Sequence, residues 1–273
     1  FSGFTGNPLA MVKDLDVRLE CIKAYNDWLT DYCKTHPARL KGVALINVDD
    51  VEIGVKELER CAKAGLRGAM VWQVPPKEFP FMSDHYEPFW AAAQDLEMPV
   101  SLHILTGHDY SKTPGAQKGI EVYRSRVNEK IWGAMDSLFE IIFAGVLERY
   151  PRLKVVLVEN DIGWIPFLVE QWDKYYARHS PRHHISLTKP PGEYFHDQVF
   201  ATFLDDEVGA HLASRWGTDN FMWSNDYPHP NGTWPRSREI IARDLGHLPA
   251  EIRTKIVRDN VARLYNLAVP QQA

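Results

Sequence analysis

Short apolar runs alternate along the chain with longer segments in which apolar residues recur every three to four positions. The runs lie at 40–48 (LKGVALINV), 66–74 (LRGAMVWQV), 99–105 (PVSLHIL), 154–160 (KVVLVEN), 199–205 (VFATFLD) and 220–226 (NFMWSND). Near-continuous hydrophobicity over so short a span fits strands buried on both faces, as in a parallel sheet. In 51–64, Ile53, Val55, Leu58 and Ala62 share one side, Glu52, Lys56, Glu59 and Lys63 face water, and Gly65 is a stop signal. The same spacing predicts helices over 14–33, 85–96, 127–150, 164–178, 207–216, 235–245 and 250–264. Strand and helix alternating throughout predict an α/β fold with right-handed crossovers. No Ser/Gly-rich linker divides the chain, so residues 1–273 read as one domain.

Strand spacing favours a (β/α)8 barrel, a fold of roughly 250 residues whose active sites lie on the loops after the strands. The widest gaps follow the third and fourth runs, and the first of them holds the polar segment 106–130, which a barrel would place on the rim of its site. A doubly wound open sheet is the competing arrangement. It is disfavoured because no GxGxxG or GxxxxGK[ST] loop follows any strand.

Composition narrows the class further. With 45% hydrophobic and 12% aromatic residues, the chain can bury a core, and global disorder is excluded. A net charge of -5 with both signs mixed offers no basic face to nucleic acid or an anionic bilayer. No apolar run approaches the ~20 residues needed to cross a membrane. Cys21, Cys33 and Cys61 form no CxxC pair, and so sparse a set favours a reduced, cytoplasmic protein. Residues 1–9 form a Gly, Pro and Thr stretch rather than a targeting segment, and read like the middle of a loop.

Candidate chemistry follows from which strand ends carry groups that are costly to bury. His103 lies within the third run, while Glu159, Asp205 and Asp226 end the last three; Trp72 and Gln73 hold the same place in the second. His103 alone reads as a hydrogen-bonded core imidazole, and Asp226 alone as a turn residue. Together, imidazole and carboxylate at strand ends are a ligand set for zinc or another divalent ion, with a base beside it.

The segment Trp223-Ser224-Asn225-Asp226-Tyr227-Pro228-His229 resembles the strand-eight signature of the amidohydrolase superfamily, in the branch typified by aminocarboxymuconate-semialdehyde decarboxylase. Tyr25-Asn26-Asp27-Trp28, residues 37–44 (PARLKGVA), 64–68 (AGLRG), 99–103 (PVSLH) and 259–265 (DNVARLY) extend the resemblance in order over nearly the whole chain. The resemblance implies a distorted (β/α)8 barrel with one divalent metal at its C-terminal mouth, zinc first, with manganese or magnesium as alternatives. It implies that His103 binds the metal, and that Asp226 binds it and moves protons.

Two departures qualify the transfer. The family's strand one supplies a His-x-His, Glu-x-His or Asp-x-His pair, and none occurs here. His36 and His85, which alone precede His103, have no such neighbour. Where many decarboxylases of the branch end strand six with His-Gly-Gly, this chain has Glu159, which could orient water or a substrate hydroxyl, carry a proton, or cap a helix. Trp72, Gln73, His108, Trp164, Trp223 and His229 are the expected substrate-binding residues, with Tyr227 beside them. The aromatic ones suit a flat, conjugated substrate by stacking. Asp109 is a further loop candidate, whereas His179, His183 and His184 read as a solvated turn.

The expected function is that of a metal-dependent carbon-carbon lyase removing CO2 from an aromatic or unsaturated carboxylic acid, as a homodimer. Two alternatives stay open: a hydrolase of a lactone, amide or C–C bond using metal-bound water, and a metal-free binding or assembly subunit. Since only six strands can be counted, the chain is expected to lack the barrel's strand one, or one and two.

Overall fold

The computed structural model describes residues 9, 12–108, 119–120, 124–183, 185 and 187–269. Asp109 and His184 lie outside the described residues. The chain forms two compact units, Ser2–Val155 and Val156–Ala273.

The first unit begins with α1 (Leu15–Lys34), whose N-cap Asp14 accepts from the backbone N–H of Val17. Strand β1 (Ala44–Leu45) follows, then α2 (Val51–Ala64), β2 (Ala69–Val74), α3 (Glu87–Asp95), β3 (Val100–Gly107), α4 (Lys130–Phe143) and α5 (Val146–Arg149). The second unit holds β4 (Val155–Val158, starting at the boundary), α6 (Ile165–His183), α7 (Pro191–Gln198), β5 (Val199–Phe203), α8 (Glu207–Ala213), β6 (Phe221–Trp223), α9 (Ser237–Leu245), α10 (Ala250–Thr254) and α11 (Asn260–Leu264). Every run expected to be a strand contains one. Among the described residues no helix is long and apolar enough to cross a membrane.

Local chemistry sets several of these boundaries. Helix α2 starts where the Asp50 carboxylate accepts from Ile53 N and ends at Gly65, whose φ of 99° few other residues tolerate. Strand β1 is far shorter than its apolar run because a side chain completes its ladder. The Asn26 amide donates to Leu45 O and accepts from Leu45 N, each at 2.9 Å. Asn260 does comparable work in the second unit, donating to Thr218 O and Phe221 O at 2.8 Å. The Tyr25-Asn26 and Asp259-Asn260 motifs therefore serve the fold. The pattern over 250–264 predicts a single helix, but a π turn at Lys255–Asp259 interrupts it, and α7 rises from a Pro-Pro-Gly stretch that carries no helical signal.

Strands β1, β2 and β3 are parallel, and Leu45, Met70 and Trp72 pack with Ile22 of α1 into one cluster. In the second unit β5 and β6 are parallel, and Val156, Phe200 and Met222 pack together with Val158, Val261 and Leu264 against them. All three cysteines are free thiols.

Candidate active site

In the first unit, the register pairs Trp72 with His103 and then slips, so that Val74 faces Gly107. The slip requires glycine: at φ 114° a Cβ on Gly107 would stand 2.1 Å from Val74 O. The extra length on β3 turns Thr106 inward. Its hydroxyl donates to His103 O at 2.6 Å and accepts from Gln73 N at 2.9 Å, while Ser137 Oγ donates to Gln73 O at 2.5 Å. His103 is buried, and its Nδ1 lies 2.9 Å from Ile104 O. A carbonyl only accepts, so Nδ1 carries a hydrogen, and Nε2 is the ring atom that bears the lone pair in the corresponding tautomer. Trp72 is only 1% exposed, and its Nε1 meets no hydrogen-bond acceptor among the described residues. Gln73 is equally buried.

His108 follows β3, its backbone N–H held by Val74 O at 2.9 Å and its Nε2 3.4 Å from Asp49 Oδ1. Asp49, past the end of β1, also accepts from Arg18 Nη1 at 2.6 Å. Burial by itself would raise this carboxyl, but hydrogen bonding and charge from His108, followed by Arg18 and Asn47, hold it below the usual carboxylate range.

In the second unit, β4 ends at Glu159 with a turn held by side chains. Glu159 N donates to Thr202 Oγ1 at 2.9 Å, and Trp164 Nε1 donates to Asn160 O at 2.8 Å. Asp206 accepts from Ile162 N, Gly163 N and Gly209 N at 2.7–2.8 Å, capping α8 while bracing that turn. At the end of β6, Trp223 Nε1 donates to Leu204 O at 3.1 Å, so the Trp164 and Trp223 indoles are each oriented by a carbonyl. Asn225 O accepts from Thr233 N, closing a loop that carries Asp226 and the exposed Tyr227.

Glu159 (φ 61°), Asp161 (φ 54°) and Asp226 (φ 53°) all lie in the left-handed region. Such backbone costs on the order of 1–3 kcal/mol per residue and clusters at functional sites. Asp226 and Glu159 share a hydrogen bond, and His229 Nδ1 donates to Asp226 Oδ2 at 2.8 Å. Burial, then the hydrogen bond and charge of Glu159, push the Asp226 carboxyl up to about 6, and His229 opposes them. Replacing Thr202 with valine would strand the part-buried Glu159 N–H. The expected loss is about 1–2 kcal/mol, read as a lower denaturation midpoint at unchanged m-value.

The structure thus joins Glu159, Asp226 and His229 in one hydrogen-bonded group, with Trp164 fixed on the turn after β4 and Trp223 at the end of β6. It also sets His103, Gln73 and His108 on or just past β2 and β3. Among the described residues no three His, Cys, Asp or Glu side chains are placed to hold a metal ion. Sequence reasoning missed Thr106, Thr202, Asp206, Arg18 and Asp49. Of these, Asp49 carried a signal, as a carboxylate directly after an apolar run.

Imidazole and carboxylates at the strand ends of an alternating α/β chain agree with the resemblance to the amidohydrolases. Residues 7–267 match the amidohydrolase family, and the chain belongs to it. It is 26% identical over 271 residues to a gamma-resorcylate decarboxylase of Polaromonas sp. strain JS666, covering 91% of this chain and 77% of that protein. Among solved structures, a 5-carboxyvanillate decarboxylase from Sphingomonas paucimobilis superposes with a TM-score of 0.78 at 20% identity, covering 95% of this chain and 76% of that one. A dihydroxybenzoic acid decarboxylase from Polaromonas sp. JS666, solved with manganese and the inhibitor 2-nitroresorcinol, gives 0.77 at 20% identity, covering 95% and 79%. These likenesses show the fold, the (β/α) barrel type of amidohydrolase decarboxylases.

Proposed function

We propose that the protein is a metal-dependent decarboxylase of an aromatic or unsaturated carboxylic acid. The observation that carries this reading is the hydrogen-bonded group Glu159–Asp226–His229, which can hold a proton in a buried place and renew it from solvent. Decarboxylation needs such a source. As the bond to the carboxylate breaks, its electron pair takes a proton from Asp226, CO2 leaves, and Asp226 remains as carboxylate. The Asp226 side chain is 7% exposed and that of His229 42%, so His229 is the member that meets water and returns the proton.

A divalent ion, when bound, supplies the positive charge that holds the substrate carboxylate and an adjacent oxygen. His103 and Asp226 would hold it. The lone pair on His103 Nε2 suits such an ion, and so does the excess negative charge of the Asp226–Glu159 pair. Zinc fits nitrogen and oxygen donors of this kind. Manganese, present in the Polaromonas structure, is the second choice. The oriented indoles of Trp164 and Trp223, with Trp72, Gln73, His108 and His229, would receive a flat substrate. The free thiols agree with a cytoplasmic setting, where we expect a homodimer.

Product analysis tests the reaction. Incubated with gamma-resorcylate and related aromatic acids in 18O-labelled water, the metal-loaded protein is expected to release CO2 and yield a product without the label. A labelled acid or alcohol product without CO2 would replace this reading with hydrolysis.

A further inference from the structure

The second unit carries a pair of histidines that the acid group does not use. Helix α8 buries Gly209, Ala210 and Ala213 and leaves His211 exposed on its outer side. His247, also exposed, stands two residues past α9 on a turn pinned from both sides, since Leu245 and Leu248 are buried and Leu248 N donates to Leu245 O at 3.1 Å. The turn needs Gly246, because a Cβ there would lie 2.1 Å from Ala242 O. These two elements bring the rings together. His211 Nδ1 lies 3.1 Å from His247 Nε2, with the ring planes at 87°.

As a hydrogen bond, this contact requires a hydrogen on one of the facing nitrogens and a lone pair on the other. The spacing suits a second partner as well. Two imidazole nitrogens on one ion, each at about 2.0–2.1 Å, stand about 2.8–3.4 Å apart for angles between a right angle and a tetrahedral one. The observed 3.1 Å falls inside that range. Both rings meet solvent, so the hydrogen between them can move to the outer nitrogen of its own ring. Both facing nitrogens then present lone pairs, with no net loss of a proton. Charge does not oppose a cation here. Arg243, one turn before His247, is engaged by Asp205 and Asp244, and Glu207 lies one turn before His211 on the same helix.

We propose that His211 and His247 form a binding site for a divalent transition-metal ion of the imidazole-seeking class, nickel, copper or zinc, with water completing its shell. Magnesium and manganese favour oxygen donors and do not occupy it. The ion staples α8 to α9. Its effect extends inward, because Asp206 at the N-cap of α8 also holds the backbone of Ile162 and Gly163 in the turn after β4. The pair shares no residue with the group assigned to the catalytic ion, and the proposal does not depend on which reaction the protein catalyses.

Calorimetric titration with nickel chloride at pH 7.5, on protein kept in excess manganese, tests the site. The unaltered protein should bind one nickel equivalent more than His211→Ala or His247→Ala, or bind it at least about tenfold more tightly, since a single imidazole cannot chelate. The same difference should appear when either substitution is made in His103→Ala, which separates the pair from the catalytic site. Nickel should also raise the thermal unfolding midpoint of the unaltered protein by more than it raises that of either variant. Equal nickel binding in the unaltered protein and both variants overturns the proposal. So does a difference that disappears in the His103→Ala background, or unaltered protein that binds no nickel. Should an alanine variant fold poorly, His211→Gln and His247→Gln keep a hydrogen-bonding side chain and are expected to lose the same equivalent. Retention of that equivalent in both glutamine variants would place the nickel elsewhere and end the assignment.

Discussion

Asp226→Asn is expected to lower kcat for CO2 release by about a thousandfold, the range of a lost general acid, while KM changes far less. The amide keeps the shape of the side chain and a carbonyl oxygen for the His229 Nδ1–H, so the turn after β6 should persist. What it loses is the proton that must replace the departing carboxylate. A coupled assay for CO2 under single-turnover conditions separates this step from product release. Loss of substrate binding alone, with the chemical step unchanged, would show that Asp226 only anchors the substrate. Glu159→Gln should act in the same direction with a smaller effect. It leaves Asp226 its hydrogen-bond partner and removes the neighbouring charge that keeps a proton on it.

Stability should respond to divalent ions and to pH together. In protein stripped by chelation, Asp226 titrates near 6 when folded and near 3.9 when unfolded, so between those values the folded chain binds more protons. This contribution is fully present below about pH 4 and is lost as pH rises through about 6. The loss is on the order of 1–2 kcal/mol after solvent screening. Glu159→Gln should flatten that slope, because the like charge is gone. Zinc or manganese at about a thousand times its dissociation constant should add roughly 4 kcal/mol at pH 7.5. Thermal unfolding from pH 4 to 8, with and without metal, reads both effects. A melting temperature at pH 7.5 indifferent to chelation and to added ion would end the metal assignment.

Much of the scaffold was legible because its signals are local. Asp50 and Gly65 bracket α2 within a few residues of the groups they cap, and each of the six runs contains a strand because apolar residues dominate it. The strand lengths were less legible. Asn26 ends the need for a longer β1 by supplying its amide from α1, and no pattern within residues 40–48 announces a partner nineteen positions away. Helix α7 was missed for a related reason. Its residues Tyr194 and Phe195 are buried by packing, in a stretch where Pro and Gly suppress the helical signal.

The site divides along the same line. The sequence alone determined which residues could do chemistry, because His103 lies within an apolar run and Glu159 and Asp226 close others, where burying such a group is costly unless it is compensated. It could not determine their state. That Asp226 and Glu159 share a hydrogen bond, that His229 turns back to donate to it, and that His103 presents Nε2 depends on left-handed backbone and on carbonyls reached only after folding. The Arg18–Asp49–His108 group is a plainer case, since its members come from a helix, a strand end and a loop spread over ninety residues. Pairwise electrostatics falls off over a few ångströms, whereas sequence separation carries no information about distance in space. The residue types at the strand ends were therefore written in the chain, and only the tertiary structure decided which charge faces which.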